Sequence, residues 1–304
     1  MTAPPPSGRQ VELRHGEQTL TVVEVGGGIR EYRWGGRPVL DGYRVHEICP
    51  AAHGQPLVPW PNRLGNGRYR FGGSEHQVAL SEPEHGNAIH GLLRWSPWLM
   101  EAVEPDTAVV EATIHPQPGY PFLLEVRLEY RLEDAGLRVT CTAANLGDTE
   151  LPFGAGFHPY LSVGGGLVDG ARLRVPGRSW VELDDRGLPT GVTKPAAGEL
   201  DFRAGQQIGS VHLDHCFGDL VREDGGLVRA ELTGNDGRTV TVWADGEWRY
   251  LQVFSGDTLP AGAARRALAV EPMTCPPDAL RSGTDVRRIP PGERFEGVWG
   301  LSLR

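Results

Sequence analysis

Two histidines lie in sequence contexts that suit proton transfer. His90 ends an apolar run within residues 86–91, which begin and end with glycine, and His158 follows a glycine-rich segment and precedes Pro159. Glycines let the backbone approach a ligand closely, and a following proline favours an extended conformation. An imidazole in such a position can exchange a proton near neutral pH. A structural role, in the core or capping a backbone carbonyl, explains each histidine alone about equally well.

Glu271 is the strongest candidate for a general base. It ends an apolar segment and lies between Val270 and Pro272. A carboxylate in apolar surroundings is costly unless it is paired or used. Desolvation raises the pKa of such a carboxyl group, which suits a general base. The alternative is a surface glutamate at the end of a strand.

Two further polar residues are candidates for binding a hydroxylated or acidic ligand. Arg63 lies in the segment Pro-Trp-Pro-Asn-Arg-Leu at 59–64, and its guanidinium is a rigid fork of donors. Residue type alone favours a simpler role for Arg63, an ion pair with a surface acid. Asp214 can accept hydrogen bonds from hydroxyl groups, although an isolated aspartate more often forms a turn.

Motifs for other kinds of chemistry are absent from the sequence. It contains no G-x-S-x-G elbow, no phosphate-binding P-loop and no H-E-x-x-H helix. His212 and His215 have the spacing closest to that of a metal site, but no cysteine or carboxylate run completes a ligand shell. We therefore expect neither a metal nor a cofactor.

Strand patterns dominate the segments that must position these residues. Apolar and polar residues alternate over 123–132 and again over 137–143, which predicts a long antiparallel hairpin with one face in a core. Glycine-containing turns at 26–28, 72–73 and 235–237 predict three more hairpins. Helical periodicity is weak throughout, and nothing longer than a single turn is expected near residues 277–281. The sequence therefore predicts an all-β protein.

The chain shows no internal linker after residue 8. We expect a flexible N-terminal tail over residues 1–8 and a single domain over 9–304, because strand signals continue at short spacing to the end. The N-terminal segment lacks the pattern of a signal peptide, and no run of 18 apolar residues predicts a membrane span.

Charge and cysteine content narrow the possible partners and compartment. The formal net charge is −9, and the lysines and arginines are scattered rather than clustered, which argues against a nucleic-acid partner. The four cysteines form no C-x-x-C pair and are expected to be buried, reduced thiols: Cys49, Cys141, Cys216 and Cys275. We expect a cytoplasmic protein that is a monomer or a weak homodimer, with no membrane partner.

Six segments, in this order, resemble the aldose 1-epimerase (galactose mutarotase-like) family. The resemblance extends from about residue 20 to residue 303, and the segments are NRLGNGRYRF at 62–71, GNAIHG at 86–91, GFHPYL at 156–161, LDHCF at 213–217, YLQVFSGD at 250–257 and AVEPMTCPPDAL at 269–280. The resemblance implies a large antiparallel β-supersandwich. It also implies a metal-free isomerase that interconverts the α and β anomers of an aldohexose by ring opening and reclosure.

The resemblance also implies a role for each candidate residue. Glu271 matches the general base that takes the proton from the C1 hydroxyl, and His158 matches the general acid that protonates the ring oxygen. His90 matches a second active-site histidine. Arg63 and Asp214 match residues that hold the sugar hydroxyls.

Other positions bear on which sugar would bind. Trp60 and Trp98 are candidates for apolar faces that contact the sugar ring. Leu92 and Met273 stand where the galactose-using branch usually has glycine and glutamine, which weakens the case for galactose. The string His-Gly-Leu-Leu-Arg at 90–94 is similar to one in hexose-6-phosphate mutarotases, so Arg94 is a candidate for reading a phosphate or sulfonate. The alternative for Arg94 is a structural arginine packed on its tryptophan neighbour.

Three alternative functions remain open from the sequence. The first is a mutarotase for an anionic hexose, and the second is a carbohydrate-binding protein without catalysis, since fold does not fix function. A glycosidase is disfavoured because that chemistry generally uses two carboxylates across the bond. Here only Asp214 is available as a partner for Glu271.

Overall fold

The structure is a computed structural model that describes residues 4–223 and 225–304. Its strands, in chain order, are β1 (Gln10–His15), β2 (Gln18–Val23), β3 (Ile29–Trp34), β4 (Arg37–Pro38), β5 (Pro56–Leu57), β6 (Arg63–Gly65), β7 (Arg68–Phe71), β8 (Ser74–Gln77), β9 (Asn87–Ile89), β10 (Leu99–Glu104), β11 (Thr107–Ile114), β12 (Leu124–Glu133), β13 (Gly136–Asn145), β14 (Leu151–Phe153), β15 (Gly156–Phe157), β16 (Tyr160–Ser162), β17 (Arg172–Arg174), β18 (Gly177–Leu183), β19 (Pro189–Pro195), β20 (Gln206–Gln207), β21 (Asp214–Leu220), β22 (Val228–Thr233), β23 (Thr239–Ala244), β24 (Tyr250–Phe254), β25 (Ala267–Met273), β26 (Arg287–Ile289) and β27 (Arg294–Leu303). Helical structure in the described residues comprises α1 (Ala279–Ser282) and 3-10 turns at Pro83–His85, Val168–Gly170 and Gly198–Leu200.

Two large antiparallel sheets make up most of the fold. One has nine strands in the order β10-β11-β12-β13-β27-β23-β22-β17-β20. The other has eight strands in the order β19-β18-β21-β24-β25-β15-β5, with β16 also paired to β25. Strands β1 to β4 form a smaller sheet, and the pairs β6-β9, β7-β8 and β14-β26 complete the architecture. The prediction of an antiparallel all-β fold is confirmed.

The long hairpin shows why the sequence pattern was informative. In β12 and β13 nearly every second residue is buried, and Leu128 of one strand lies opposite Cys141 of the other. Strict alternation places one face of each strand in the core. The other three predicted hairpins are also present, as β2-β3, β7-β8 and β22-β23.

Aromatic side chains join the two large sheets across the core. The ring of Phe157 in β15 lies 4.9 Å from that of Trp299 in β27 and 5.5 Å from that of Trp248, measured between centroids. All three side chains are nearly inaccessible to solvent. Because buried aromatic residues supply much apolar area, this cluster holds the eight-stranded sheet, which carries most of the candidate site, against the nine-stranded one.

The N-terminal segment differs in part from the predicted tail. Residues 1–3 lie outside the described residues. Ser7 is buried, its carbonyl oxygen accepts a hydrogen bond from the Val25 amide at 3.0 Å, and its hydroxyl accepts one from Gln10. The C-terminal end of the predicted tail is therefore anchored to the first sheet, because a buried polar side chain with good partners is not free to move.

The four cysteines are free and buried, as predicted. Burial raises the pKa of the Cys141 thiol to about 12, so this group is unreactive at neutral pH. Across residues 4–223 and 225–304, no helix is both long enough and apolar enough to span a membrane.

Candidate active site

Three adjacent strands of the eight-stranded sheet present polar side chains on one face. Gln252 in β24 lies opposite Glu271 in β25 and, on its other side, opposite Cys216 in β21. Asp214 precedes Cys216 by two residues. Directly opposed residues, and residues two apart, share a face of a sheet. The amide of Gln252 donates to Oδ1 of Asp214 at 2.5 Å, so the two carboxyl groups and the amide form one polar patch.

Glu271 and His158 meet at the centre of this patch. Oε1 of Glu271 lies 3.3 Å from Nε2 of His158, and the residues are 2% and 5% exposed. The backbone fixes His158 from both sides, since its amide donates to Gln55 and its carbonyl accepts from the amide of Gly54. The two predicted catalytic residues, 113 positions apart in the chain, therefore contact each other directly.

Burial disfavours charge on both members of this pair. It raises the pKa of Glu271 well above its usual value, an effect that Asp214 increases and Arg63 opposes. Burial also lowers the pKa of His158 well below its usual value, with His53 adding to the effect. The neutral pair, with one proton on the carboxyl group, is therefore favoured in the free protein.

Each member of the pair also carries a buried polar atom without a hydrogen-bond partner among the described residues. These atoms are Oε2 of Glu271 and Nδ1 of His158. Buried polar atoms are nearly always satisfied in folded proteins. Exceptions beside a cavity point to a group that a ligand is needed to satisfy.

His90 is held in one tautomer by its neighbour. Its Nδ1 accepts a hydrogen bond from the backbone amide of Asn62 at 3.2 Å, so the ring proton is on Nε2. Burial lowers the pKa of His90, which keeps the ring neutral. His90 has a left-handed φ of 63°, and Gly91 after it has a φ of 73°. A Cβ at position 91 would clash with the Val58 carbonyl oxygen, which would lie only 1.9 Å away. Only glycine fits position 91.

Arg63 is locked by a forked ion pair. Its Nε and Nη2 donate to the two carboxylate oxygens of Glu82 at 2.9 and 3.0 Å, and Asn87 donates to the same carboxylate. Against the effect of burial, this pairing raises the pKa of Arg63 and lowers that of Glu82. Gly187 leaves room for the arginine, since a Cβ there would lie 2.6 Å from Nη1. Arg63 is therefore a fixed positive charge in the wall of the site.

Arg94 packs on its tryptophan neighbour and also lines the cavity, and its role in reading an anionic group stays a prediction. Its guanidinium lies 5.4 Å from the centroid of the Trp95 ring, and its Nε donates to the side chain of Gln55 at 3.0 Å. It also lines the cavity that contains Glu271. Within the described residues no carboxylate lies within ion-pair distance of Arg94, in contrast to Arg63.

The polar patch, His90, Arg63 and Arg94 all line one cavity of about 230 Å³. This volume is somewhat below the ~300–1,000 Å³ typical of small-molecule sites, and the lining mixes convergent polar groups with apolar ones. The lining residues are Ala51, Ala52, Asn62, Arg63, Ile89, His90, Arg94, His158, Tyr160, Asp214, Gln252, Phe254, Thr258, Leu259 and Glu271. Six of the seven predicted site residues are among them.

Asp214 lies at the mouth of this cavity. Its side chain remains open to solvent, although protein atoms surround it closely on the other sides. This crowding raises the pKa of Asp214, while Arg63 and the amide of Gln252 act in the opposite direction. An ionised Asp214 can accept hydrogen bonds from a ligand at the entrance.

The prediction that Trp60 contacts a ligand is wrong. Trp60 is 2% exposed and belongs to the main apolar core, and Trp98 is equally buried and donates its indole proton to the carbonyl of Leu93. A tryptophan offers more apolar area to the core than most side chains, so its burial stabilises the fold. The apolar lining of the cavity includes Phe254 and Leu259, whose side chains are smaller than that of tryptophan.

Three site residues were not identified from the sequence. Gln252 and Tyr160 lie in the segments YLQVFSGD and GFHPYL, where the strand pattern could have placed them on the same face as Glu271 and His158. The pairing of Glu82 with Arg63 had no signal in the sequence, because it joins the residue before a 3-10 turn to a distant strand through tertiary structure. The ring of Tyr160 stacks on that of His158 at 4.8 Å and 14°.

The candidate metal spacing does not form a ligand cluster. His212 lies at the surface with its Nε2 3.6 Å from a carboxylate oxygen of Asp257, whereas the ring of His215 packs edge-on against Trp180. In the part of the chain that the structure describes, no group of three or more His, Cys, Asp or Glu residues has the arrangement of a metal site.

Comparison with known proteins gives a consistent family match. The aldose 1-epimerase family model matches residues 9–302. The uncharacterized protein YihR of Escherichia coli is 33% identical over 290 residues, which cover 94% of this chain and 91% of YihR. YphB of the same organism is 25% identical over 294 residues, covering 96% of this chain and 97% of YphB.

Solved structures show the same fold at lower identity. The GalM/aldose epimerase homologue from Caenorhabditis elegans superposes with a TM-score of 0.85 at 18% identity, over 97% of this chain and 98% of that one. The fold is therefore the predicted antiparallel β-supersandwich of the galactose mutarotase type.

Proposed function

Because the chain belongs to the aldose 1-epimerase family, we propose that it is a mutarotase that interconverts the α and β anomers of an aldohexose. The observation that carries the proposal is the contact between Glu271 and His158 in the wall of a cavity of about 230 Å³. Ring opening requires a base at the C1 hydroxyl and an acid at the ring oxygen at the same time. A carboxyl group and an imidazole side by side supply both.

The proposed reaction balances without any added reagent. Glu271 takes the proton of the C1 hydroxyl while His158 gives a proton to the ring oxygen, and the bond between C1 and the ring oxygen breaks. The resulting aldehyde rotates about C1–C2. His158 then takes back the proton of the C5 hydroxyl, the oxygen attacks the other face of C1, and Glu271 returns its proton to O1.

The active protonation state is one proton transfer away from the resting one. The reaction requires ionised Glu271 and protonated His158, whereas burial favours the neutral pair. A transfer from Oε1 to Nε2 across their 3.3 Å contact converts one into the other. Arg63 favours the ionised carboxylate, and a sugar hydroxyl that donates to the unsatisfied Oε2 would favour it further.

The other polar groups are suited to holding the ring. The proton on Nε2 of neutral His90 can donate to a sugar oxygen, and the Oε1 of Gln252, buried without a partner among the described residues, can accept from a hydroxyl. Arg63 and Asp214 would bind further hydroxyls at the wall and mouth. Fixed positions of this kind lower the barrier by orienting the reacting atoms.

Polarimetry tests the proposal. Freshly dissolved α-D-glucose, α-D-galactose and other aldoses should mutarotate faster in the presence of the protein, in proportion to its concentration. The control is heat-denatured protein in the same buffer. Absence of acceleration over a panel of neutral, phosphorylated and sulfonated hexoses would contradict the proposal.

A second candidate is a mutarotase for a phosphorylated or sulfonated hexose. It is favoured by Arg94, a half-buried guanidinium in the cavity wall that has no carboxylate partner among the described residues. A bound anion would supply the missing charge. Arg94→Ala should then raise KM for the anionic sugar at least tenfold more than for its neutral counterpart. Arg288→Ala, an exposed arginine outside the cavity, is the control. Equal changes for both sugars would exclude this candidate.

A carbohydrate-binding role without catalysis is the remaining alternative. It would be supported by calorimetric binding of a sugar whose anomers exchange at the uncatalysed rate. The contact between Glu271 and His158 argues against it, because binding alone does not require an acid and a base side by side. The four free thiols favour a reducing compartment, and we propose that the protein acts in the cytoplasm.

A further inference from the structure

The imidazole of His158 has no hydrogen-bonded partner that would set its direction. A catalytic imidazole is usually oriented by a third group that bonds to its second ring nitrogen. His90 has such a partner, because its Nδ1 accepts a hydrogen bond from the amide of Asn62. Nδ1 of His158 has none among the described residues. Another interaction must therefore stop the ring of His158 from turning about its Cβ–Cγ bond, whose torsional preference is broad.

Two aromatic rings restrict His158 from different directions. The ring of Tyr160 stacks on it with a centroid distance of 4.8 Å and an interplanar angle of 14°. The ring of His90 lies 5.5 Å away and nearly perpendicular, at 81°. In a close-packed interior, a turn of the imidazole about Cβ–Cγ would drive its edge into the face of the stacked tyrosine. The stack with Tyr160 therefore opposes the rotation that would move Nε2 of His158 away from Glu271.

Tyr160 is itself held at several points. It begins strand β16, and its carbonyl oxygen accepts a hydrogen bond from the amide of Asp41 at 2.8 Å. Its hydroxyl donates to the carbonyl oxygen of Ala51 at 3.2 Å. The residue is 2% exposed. Burial raises the pKa of the Tyr160 hydroxyl, so this group stays protonated near neutral pH and does not act as a base.

His53 covers the second face of the tyrosine ring. The rings of His53 and Tyr160 lie 3.7 Å apart at an interplanar angle of 6°. Nδ1 of His53 donates to the carbonyl oxygen of Pro50 at 2.7 Å, and its Nε2 lies 3.6 Å from a carboxylate oxygen of Asp41. His53, Tyr160 and His158 thus form one continuous stack, and the imidazole at the end remote from Glu271 is fixed by polar contacts.

We propose that Tyr160 is a positioning residue that directs Nε2 of His158 toward Glu271 and the sugar ring oxygen, and that His53 holds Tyr160 in this orientation. The inference rests on the proposed mutarotase function and adds two residues to its machinery. The aromatic ring of Tyr160 carries the effect. Its hydroxyl only anchors that ring to Ala51, an exposed residue.

Tyr160→Leu and Tyr160→Phe separate the ring from the hydroxyl. For Tyr160→Leu, followed by polarimetry with α-D-glucose and α-D-galactose, we expect kcat to fall roughly 10²-fold with little change in KM, the effect of misplacing a reacting group by about 1 Å. Tyr160→Phe keeps the stack and loses one hydrogen bond, so its kcat should stay within roughly fivefold of wild type. Equal kcat values for the two variants, or a change in KM alone, would overturn the inference.

Tyr69→Leu is the matched control for loss of a buried tyrosine. Tyr69 is also 2% exposed, its ring lies 5.0 Å from that of His76, and its hydroxyl donates to the carbonyl oxygen of Gly119 at 2.8 Å. It does not line the cavity that contains Glu271. Tyr69→Leu should lower the urea midpoint to an extent similar to Tyr160→Leu and leave kcat unchanged. An equal loss of kcat in both variants would trace the effect to a weakened fold and overturn the inference.

His53→Leu tests the remote end of the stack and changes no residue that lines the cavity. We expect kcat to fall roughly three- to tenfold, the fold-change that corresponds to the loss of one aromatic pair. The loss should be smaller than for Tyr160→Leu, because Tyr160 keeps its other anchors. His53→Phe retains a stacked ring and should restore most of the activity. An unaltered kcat in His53→Leu would overturn the inference whether or not Tyr160→Leu folds.

Failure of the proposed function would appear separately, as no acceleration of any sugar by the wild type. Crystal structures of Tyr160→Phe and Tyr160→Leu, or of His53→Leu in place of a Tyr160→Leu protein that does not fold, then decide the inference. With phenylalanine at position 160, Nε2 of His158 should remain in contact with Oε1 of Glu271, as at the 3.3 Å of the wild type. With the stack broken by leucine, the imidazole should turn and lose this contact. An imidazole in its wild-type orientation after loss of the stack would overturn the inference.

Discussion

Two pairs of oppositely ionisable side chains contribute to the candidate site and differ in how completely their hydrogen-bonding groups are satisfied. His158 and Glu271 both line the cavity, whereas of Arg63 and Glu82 only Arg63 does. Arg63 and Glu82 exchange two hydrogen bonds in a forked geometry, and Asn87 adds a third to the carboxylate. His158 and Glu271 share a single contact of 3.3 Å, and each keeps a buried atom without a partner among the described residues.

The electrostatics of the two pairs differ accordingly. Pairing with Arg63 lowers the pKa of Glu82, although burial opposes this, whereas burial raises the pKa of Glu271. The first pair is thus a fixed ion pair that holds its charges at every pH near neutrality. The second is poised to move a proton, because neither of its charge states is fully stabilised. Incomplete satisfaction in a core is destabilising, and under the proposed function the substrate would supply the missing hydrogen bonds of the second pair.

The largest expected effect is on activity, from Glu271→Gln. The amide cannot take the proton of the C1 hydroxyl, so kcat should fall ~10²–10⁴-fold, the usual contribution of a positioned acid–base group. Polarimetry with α-D-glucose measures the loss. The fold should survive, because glutamine preserves the shape and removes a buried ionisable group.

Glu84→Gln, a substitution in the 3-10 turn outside the cavity lining, is the control for this variant and should retain the wild-type rate. A Glu271→Gln variant with unaltered far-ultraviolet circular dichroism and full activity would remove Glu271 from its proposed role.

The second effect is on stability, from Arg63→Ala. The substitution leaves the carboxylate of Glu82, only 12% exposed at its side chain, without its cation. Loss of one partner of a largely buried pair should lower the free energy of unfolding by roughly 1–3 kcal/mol, less than for a fully buried pair because some solvent screening remains. Urea unfolding measures the change. Arg288→Ala, which breaks an exposed pair with Glu150, should have little effect, and equal effects of the two substitutions would contradict the comparison.

The smallest effect is that the contributions of Glu82 and Glu271 to the free energy of unfolding should change with pH in opposite directions. Glu82 has a lowered pKa in the folded state, so its contribution to stability is present above its unfolded value of about 4.5 and is lost as pH falls through the folded value. Glu271 has a raised pKa, so its contribution is present below 4.5 and is lost as pH rises through the folded value.

Unfolding free energies of Glu82→Gln and Glu271→Gln, each relative to wild type between pH 3 and 8, measure this difference. As pH falls, the free energy of unfolding of the Glu82→Gln variant should approach or exceed that of the wild type. As pH rises, that of the Glu271→Gln variant should increase relative to the wild type. If the difference in unfolding free energy from the wild type changed with pH in the same direction for both variants, the two carboxylates would lie in equivalent environments.

The sequence predicted the hairpins and most of the site, for different reasons. The β12-β13 hairpin followed from strict alternation, a local pattern that determines which face is buried. The convergence of His158 and Glu271 followed from resemblance to a family, because no local pattern indicates that residues so far apart in the chain share a cavity.

What the sequence did not provide depends on tertiary register and on packing. Gln252 became a site residue because it lies opposite Glu271 across two strands. Trp60 lies only three residues before Arg63, yet its side chain enters the core while that of Arg63 lines the cavity. The direction of each side chain in this irregular segment depends on backbone geometry that residue types alone do not specify.

The most direct test is a crystal structure of Glu271→Gln with a bound aldohexose. The sugar should lie in the 230 Å³ cavity, with O1 within about 2.6–3.2 Å of the side chain at position 271 and the ring oxygen at the same distance from Nε2 of His158. A sugar bound elsewhere, or one whose C1 and ring oxygen face away from both side chains, would contradict the proposed acid–base pair.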